Sequence, residues 1–538
     1  MKRILLKTTT IFCFSLLGLL FISSCEKDVV ELVPIDRFTP ATVFDTYDHC
    51  NLAVLGVYAA CQSGLYPANG SERGYPFGAA SIEQSDMRGE DMINTEAFFQ
   101  VTYEANYTAT SAANNDAMWE NTFTAINSAN LVINGILEAM EEGVLTTAEG
   151  EIFIAECRFI RAIGVHNLLI HFSRPFAEQG NHRYGVPYYD YAINTPDAIE
   201  KALEHGRNTL DECYAKILED LDYAEDKIPA SLSRVSRVSQ GAAIAYKVRV
   251  KLHKGDWNGA KTEAAKLINA SMQSPIGGYS IESDPMTPFA NYSSNRESIF
   301  SIENSSLRNP TVNGSLPSMY SITDLGGRAL IALSPVGYNN KYWLDAAKDK
   351  RRDFYRLGSH DLLYSKKYED NVATMAQWAP LMRYAEVLLN YAELIIRTGG
   401  SVSEALPYLN AVRNRSLITP SVDAYTESDF SDAKAFMWAL LGERRIEFLA
   451  EGRRWEDIHR LLLDPDYSTG GIPAKTDRSK IVALQSAGTP VYIVGGEVPA
   501  NAFNIGFIPY SDPRCVFPIP INSIIRNEKL ASQQNEGW

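Results

Sequence analysis

The chain has 538 residues, 45% of them hydrophobic, and a formal charge of −15. That length and apolar share supply a large core or several packed units. The acidic balance argues against nucleic acid and anionic lipid as partners.

Lys2, Arg3 and Lys7 form a basic start, followed by Ile11 to Ile22, an apolar run too short to span a bilayer comfortably. The run ends in Ile22-Ser23-Ser24-Cys25, which resembles a bacterial lipobox. Residues 1–24 then read as a removed signal peptide, Cys25 as the lipidated residue and 25–42 as a linker. Two or three acyl chains on Cys25 suffice to hold a protein at a membrane. Glu26, Lys27 and Asp28 read either as a surface-export signal or as plain solvated linker. Beyond the leader no segment is long and apolar enough to cross a bilayer.

From there helical periodicity dominates. Asp45 to Cys61 opens the fold, with Leu52, Leu55 and Tyr58/Ala59 as its apolar face. Asn115 to Glu142 and Thr146 to Phe172 read as a long antiparallel pair, and the spacing Trp119-Phe123-Ile126 puts Trp119 in the core. Asn208 to Lys227 and Ser239 to Lys254 form a second pair, followed at once by Asp256 to Ser271. Met382 to Arg397 and Ser401 to Arg415 form another, split by Gly399-Gly400, and Asp432 to Ala450 with Gly452 to Leu463 the last. Ala245 to Ile268 and Tyr384 to Val412 carry small residues where two helices approach, as degenerate tetratricopeptide units do. Ser63 to Asn114, Gln273 to Asp349 and Asp464 to Asp512 lack such periodicity, apart from short strands such as Ser298 to Ile302. Loops this long carry function more often than not. Cys50, Cys61, Cys157, Cys213 and Cys515 are odd in number and widely spaced, so buried free thiols are expected.

Glu443 to Arg460, ERRIEFLAEGRRWEDIHR, is the most charged stretch. An apolar stripe of Trp438, Leu441, Phe448, Trp455 and Leu462 runs through it, and Arg445 falls on that stripe. A guanidinium on a core-facing position needs a carboxylate and hydrogen bonds to meet it. Glu443, Glu447, Glu451 and Glu456 are the nearby acids, and Gly452 marks a corner where another backbone can come close. The stretch reads as a structural ion-paired corner of Glu443, Arg445, Glu447 and Arg454, and as the wrong place to look for a ligand.

At this point the residues resemble a known family, the SusD/RagB-like surface lipoproteins. The resemblance rests on MRYAEVLLNYAEL (Met382 to Leu394), LNAVRNRS (Leu409 to Ser416), the charged corner and FPIPINSIIRNEKLASQQNEGW (Phe517 to Trp538). SDMRGED (Ser85 to Asp91), MWENTFTAINSANLVI (Met118 to Ile133) and DKRRDFY (Asp349 to Tyr355) followed by KKY (Lys366 to Tyr368) add to it. The resemblance implies a mostly α fold of four tetratricopeptide-like helix pairs under a loop-rich ligand-binding layer with a few short strands. It divides one intertwined globular unit into an N-terminal region, 43–230, and a C-terminal region, 231–538. It also implies an outer-membrane lipoprotein facing the cell exterior, which captures oligosaccharides for a SusC-like TonB-dependent transporter. Some members bind peptides instead.

A glycan site needs flat aromatic faces for pyranose rings, ringed by amide, hydroxyl and charged groups. The loops offer Tyr66, Tyr75, Phe77, Tyr103, Tyr107, Tyr292, Tyr320, Tyr338 and Trp343, with Arg73, Asp86, Arg88 and Asn106 nearby. A hydrolase would need two carboxyls about 5 to 9.5 Å apart across a cleft. Glu443 with Glu447, and Asp86 with Glu90 or Asp91, are the pairs available, and flanking arginines would keep Glu443 and Glu447 ionised. His166 and His171 are five apart, no HExxH, nucleophile elbow or P-loop is present, and catalysis is not expected. No cofactor is expected; Asp86 to Asp91 has acids a structural calcium would suit, but not the spacing of an EF-hand.

Overall fold

The computed structural model describes residues 42–66, 70–110, 113–180, 183–232 and 235–538. The leader, Cys25 and the linker up to residue 41 lie outside the described residues. Of the described residues 51% are helix and 8% strand.

The helices that matter here are α1 (Tyr47–Gln62), α2 (Ala79–Arg88), α3 (Ala113–Glu141), α4 (Thr147–Phe172), α5 (Leu210–Lys227), α6 (Gln240–Lys254), α7 (Trp257–Ala265), α8 (Tyr384–Arg397), α9 (Val402–Asn414), α10 (Ala433–Glu447) and α11 (Arg453–Leu461). Their starts are written in local chemistry. Thr146, Thr209 and Ser401 each accept from a glutamate backbone N–H three residues on, while that glutamate side chain returns to the cap backbone. Asp432 caps α10 through the Ala435 N–H. From α3 to α9 each helix packs against the next, and α10 packs on both α8 and α9. One large hydrophobic core runs beneath the helices and the loops alike, and a small second cluster of Val248, Leu252, Ala260, Ala264 and Leu394 lies among α6, α7 and α8.

Two sheets tie the loops to the helices. β1 (Met92–Asn94), β3 (Ile331–Leu333), β4 (Tyr355–Leu357) and β5 (Leu363–Ser365) form an antiparallel sheet in the order β1-β3-β5-β4. β2 (Ser298–Ile302) pairs with β6 (Ala379–Arg383) in an irregular register that sets Ser298 against Arg383.

Three expectations are corrected. The buried face of α1 is Cys50, Val54, Val57, Tyr58 and Cys61, whereas Leu52 and Leu55 are 48% and 40% exposed. The cysteines behave as small apolar residues and turn that face toward α3 and α4. Met382 and Arg383 belong to β6 rather than to the start of α8, because Arg383 is extended and paired across to Ser298. α2 lies in a stretch with no helical signal: all ten of its residues are buried, including Glu83, Gln84, Asp86 and Arg88. A helix covered on every side by polar partners shows no apolar stripe. The five cysteines from Cys50 onward are buried and free. Trp119 is buried and packs on Phe123 and Phe172.

Candidate functional site

The loop that follows α1 folds back on itself. Leu65 bridges Glu72, and the Arg73 N–H donates to the carbonyls of Ser63 and Gly64, both at 3.0 Å. Gly74 has φ +76°, and a Cβ there would stand 2.6 Å from the Gly314 carbonyl, so only glycine fits this crossing. The turn sends the Arg73 guanidinium between two rings, 4.9 Å from the centroid of Tyr66 and 4.8 Å from that of Phe98. Arg328 approaches the Phe98 ring at 5.8 Å and donates to the Asn313 side chain at 2.7 Å. Tyr66, Phe98, Arg73 and Arg328 are all half-buried, so rings and cations remain in reach of solvent.

Polar groups in this patch are left without partners. Arg73 Nε is buried with no hydrogen-bond acceptor among the described residues, as is Asp116 Oδ1 without a donor. Burial, aided by the charge of Glu120, pushes the Asp116 carboxyl up to about 6. Glu83 on α2 is fully buried, and neither of its oxygens has a partner among the described residues. Burial drives its carboxyl well above the usual range against the pull of Arg328 and Arg73. These unpaired groups lie beneath the surface that Tyr66, Phe98, Arg73 and Arg328 present. The solvent-facing parts of two rings and two guanidinium groups suit a ligand that has both flat apolar faces and hydroxyls.

The other sequence-predicted contacts fare differently. Tyr75, Phe77, Asp86, Arg88, Tyr103, Tyr107, Tyr320 and Trp343 are all buried, so no ligand can stack on or bond to them without opening the core. The polar ends of the tyrosines, Asp86 and Arg88 are already engaged, whereas the buried Trp343 Nε1 has no partner among the described residues. The Tyr75 hydroxyl donates to Gln84 at 2.7 Å, Tyr103 to the Thr476 carbonyl at 2.8 Å and Tyr320 to Asp86 at 2.7 Å. Arg88 lies 3.5 Å from the centroid of the Trp455 ring and donates to the Cys515 carbonyl. Trp343 is covered by Arg352 at 3.8 Å, and Tyr107 packs edge-on to Phe517. In these loops the aromatics are the apolar anchors that hold irregular chain to the core. Tyr292, Tyr338 and Asn106 keep some exposure but contact Trp378, Tyr492 and Glu104 respectively. The structure thus brings Tyr66 and Arg73 together. Phe98 and Arg328 complete the patch and escaped sequence reading, although the Phe98-Phe99 doublet was a visible cue.

The charged corner is built as follows. Gly452 has φ +73° between α10 and α11, and a Cβ there would come 3.0 Å from the Ile82 carbonyl of α2. Glu443 accepts from Arg351 and Arg413, and Glu447 from Arg351, Arg383 and Arg415. Arg454 donates to Glu90 at 2.6 Å. Arg445 departs from expectation: its side chain is 24% exposed, and its acids are Asp91 and Glu90 rather than any in its own helix. Glu443 and Glu447 are two residues away on either side, which on a helix is another face.

These pairings bear on catalysis. Burial alone would raise Glu447, but Arg415, Arg383 and Arg351 hold it down at about 2. Glu90 is likewise held at about 2, against its burial, by Arg454 and Arg445. Neither carries a proton to donate near neutrality. Asp86 is raised to about 7 by burial but is 3% exposed and accepts from both Tyr320 and the Gly452 N–H. Among the described residues no group of three or more His, Cys, Asp and Glu is placed to hold a metal ion.

Comparison with known proteins follows the same lines. Residues 336–538 match the family model of the SusD family, and residues 58–252 match a model described as starch-binding associating with the outer membrane. A SusD-like protein P2 of Formosa agariphila is 27% identical over 388 residues, covering 64% of this chain and 72% of that one. A SusD superfamily protein from Bacteroides fragilis superposes with a TM-score of 0.71 at 25% identity, over 91% of this chain and 99% of that one. Surface glycan-binding protein A from Bacteroides uniformis shares the fold with a TM-score of 0.66 at 19% identity, over 91% and 99% of the two chains.

Proposed function

The chain belongs to the SusD/RagB family, and from that premise we propose that it is a non-catalytic, cell-surface lipoprotein that captures oligosaccharides. In this reading acylated Cys25 anchors it to the outer membrane, facing the exterior, and it hands its ligand to a SusC-like TonB-dependent transporter.

The observation that carries the sugar reading is the Tyr66–Arg73–Phe98–Arg328 patch, where half-buried rings and guanidinium groups meet at the surface. A pyranose offers an apolar face to such rings and hydroxyls to the charged groups around them. The absence of catalysis is supported by the state of the acids, which are ion-paired or buried.

Titration calorimetry of the chain lacking residues 1–25 against a panel of oligosaccharides tests this. That truncation leaves every described residue in place. The expected result is binding without product formation, weakened about tenfold or more by Tyr66→Ala, the scale of losing one ring stack. Binding of peptides and of no sugar would move the protein to the peptide-uptake branch. Cleaved product would overturn the binding-only reading.

A further inference from the structure

α10 and α11 frame an open cleft of about 770 Å³, well separated in sequence from the Tyr66 loop. Its volume is in the range of small-ligand sites. Ala435, Ala439 and Gly442, one face of α10, lie along it. A Cβ on Gly442 would fall 2.2 Å from the Tyr342 ring, so the lack of a side chain is what lets Tyr342 lie against the helix at this edge. Tyr425 and Phe430, rings 5.2 Å apart, line it too.

Trp438 is 40% exposed, and its ring meets Tyr467 edge-on at 5.5 Å. A large indole left open inside a cavity is unusual for a residue type that is mostly covered. Arg445 and Arg454 also line the cleft. Both engage Glu90 and Asp91 through Nε and Nη2, which leaves the Nη1 donors of both unassigned to any acid. Asp429 and Lys341 add an acid and a cation.

We propose that this cleft is a second oligosaccharide-binding site, in which a pyranose ring stacks on Trp438 and its hydroxyls bond to Arg445, Arg454 and Asp429. The inference rests on the proposed sugar-capturing role and extends it from one site to two. Sugar is favoured over a peptide because the cleft joins an exposed indole to Arg445 and Arg454, both fixed by ion pairs, and to Asp429, fixed by its bonds from Thr426. Preorganised charged donors and acceptors suit hydroxyls, which take and give hydrogen bonds without bringing charge. Two sites on one chain also give a long glycan a higher avidity than a short one.

The test is calorimetry on the chain lacking residues 1–25 with an oligosaccharide that binds, using Trp438→Ala, Trp438→Phe, Tyr66→Ala and the double variant Tyr66→Ala/Trp438→Ala. Trp438→Phe keeps a ring beside Tyr467, and the melting temperature of each variant is measured alongside, so that lost binding is read only on a folded chain. The expected result is two sites in the wild type, one of them weakened about tenfold or more by Trp438→Ala and restored by Trp438→Phe. Tyr66→Ala weakens the other site, and the double variant weakens both. Sugar binding unchanged by Trp438→Ala would overturn the cleft while leaving the sugar-capturing role intact. No sugar binding by the wild type would overturn that role and the cleft with it. Peptide binding abolished by Trp438→Ala would likewise overturn the assignment of the cleft to sugar.

Discussion

Arg383→Ala is the sharpest probe of what holds this fold together. Arg383 sits at the end of β6 with its side chain 2% exposed. It reaches three carboxylates: Glu451 through Nε and Nη2, both at 2.9 Å, Glu297 at 2.5 Å and Glu447 at 3.0 Å. These acids come from the loop before β2, from α10 and from the turn before α11, so one guanidinium joins three parts of the chain. Removing one partner of a fully buried pair costs about 3 to 5 kcal/mol, because the other is left charged and dry. Here the acids keep second partners: Lys367 for Glu451, Arg415 for Glu297, and Arg351 with Arg415 for Glu447. The expected loss is therefore about 4 kcal/mol rather than more, or about three decades in the ratio of folded to unfolded chain. Arg445→Ala should cost less, about 2 kcal/mol, since its side chain is 24% exposed and Arg454 remains on the same acids. Urea unfolding followed by both circular dichroism and tryptophan fluorescence measures the two, provided the probes give one coincident transition. A loss for Arg383→Ala no larger than that for Arg445→Ala would refute the argument from burial.

Four further outcomes follow from the same geometry. A carboxyl raised on folding stabilises most below its unfolded value, 3.8 for Asp86, and that contribution is lost as pH rises through about 7. Asp86→Asn, whose Oδ1 accepts from the Gly452 N–H while its amide N–H donates to the Tyr320 hydroxyl on the other side, should gain on the wild type at about pH 8 and not at about pH 4, read from paired urea curves. Glu447 has the opposite sign: held at about 2, it stabilises the fold above 4.5, and acid unfolding should set in as pH falls below that toward about 2. Gly452→Ala, forced to φ +73° and against the Ile82 carbonyl, should lower stability by about 1 to 2 kcal/mol in the same assay. On α1, Val54→Ala should destabilise by about 1 kcal/mol or more while Leu52→Ala stays within about 0.5, since the first is fully buried and the second 48% exposed.

The long helices were legible because their periodicity and caps are local. Thr146 with Glu149 announces α4, and Ser401 with Glu404 announces α9, whatever packs on them. α2 was not legible, since Glu83, Gln84, Asp86 and Arg88 look like a solvated stretch until Tyr75, Tyr320 and Trp455 are known to surround them. The same gap misplaced Arg445, whose acids stand 354 and 355 residues away in sequence. Loop aromatics were recognisable as a class but not as individuals. Tyr66 and Tyr75 flank the same turn, yet one is half-exposed and the other fully buried beside Gln84. Only the crossing at Gly74 and Gly314 decides which ring faces out.

Calorimetric titration of the chain lacking residues 1–25 with a panel of oligosaccharides, the mixtures then checked for cleavage, reads both the capture of sugar and the lack of turnover. The expected result is saturable binding of at least one glycan, intact ligand afterwards, and binding weakened by Tyr66→Ala in a chain still folded at the titration temperature. Binding of no glycan in the panel, or recovery of shortened chains, would contradict it.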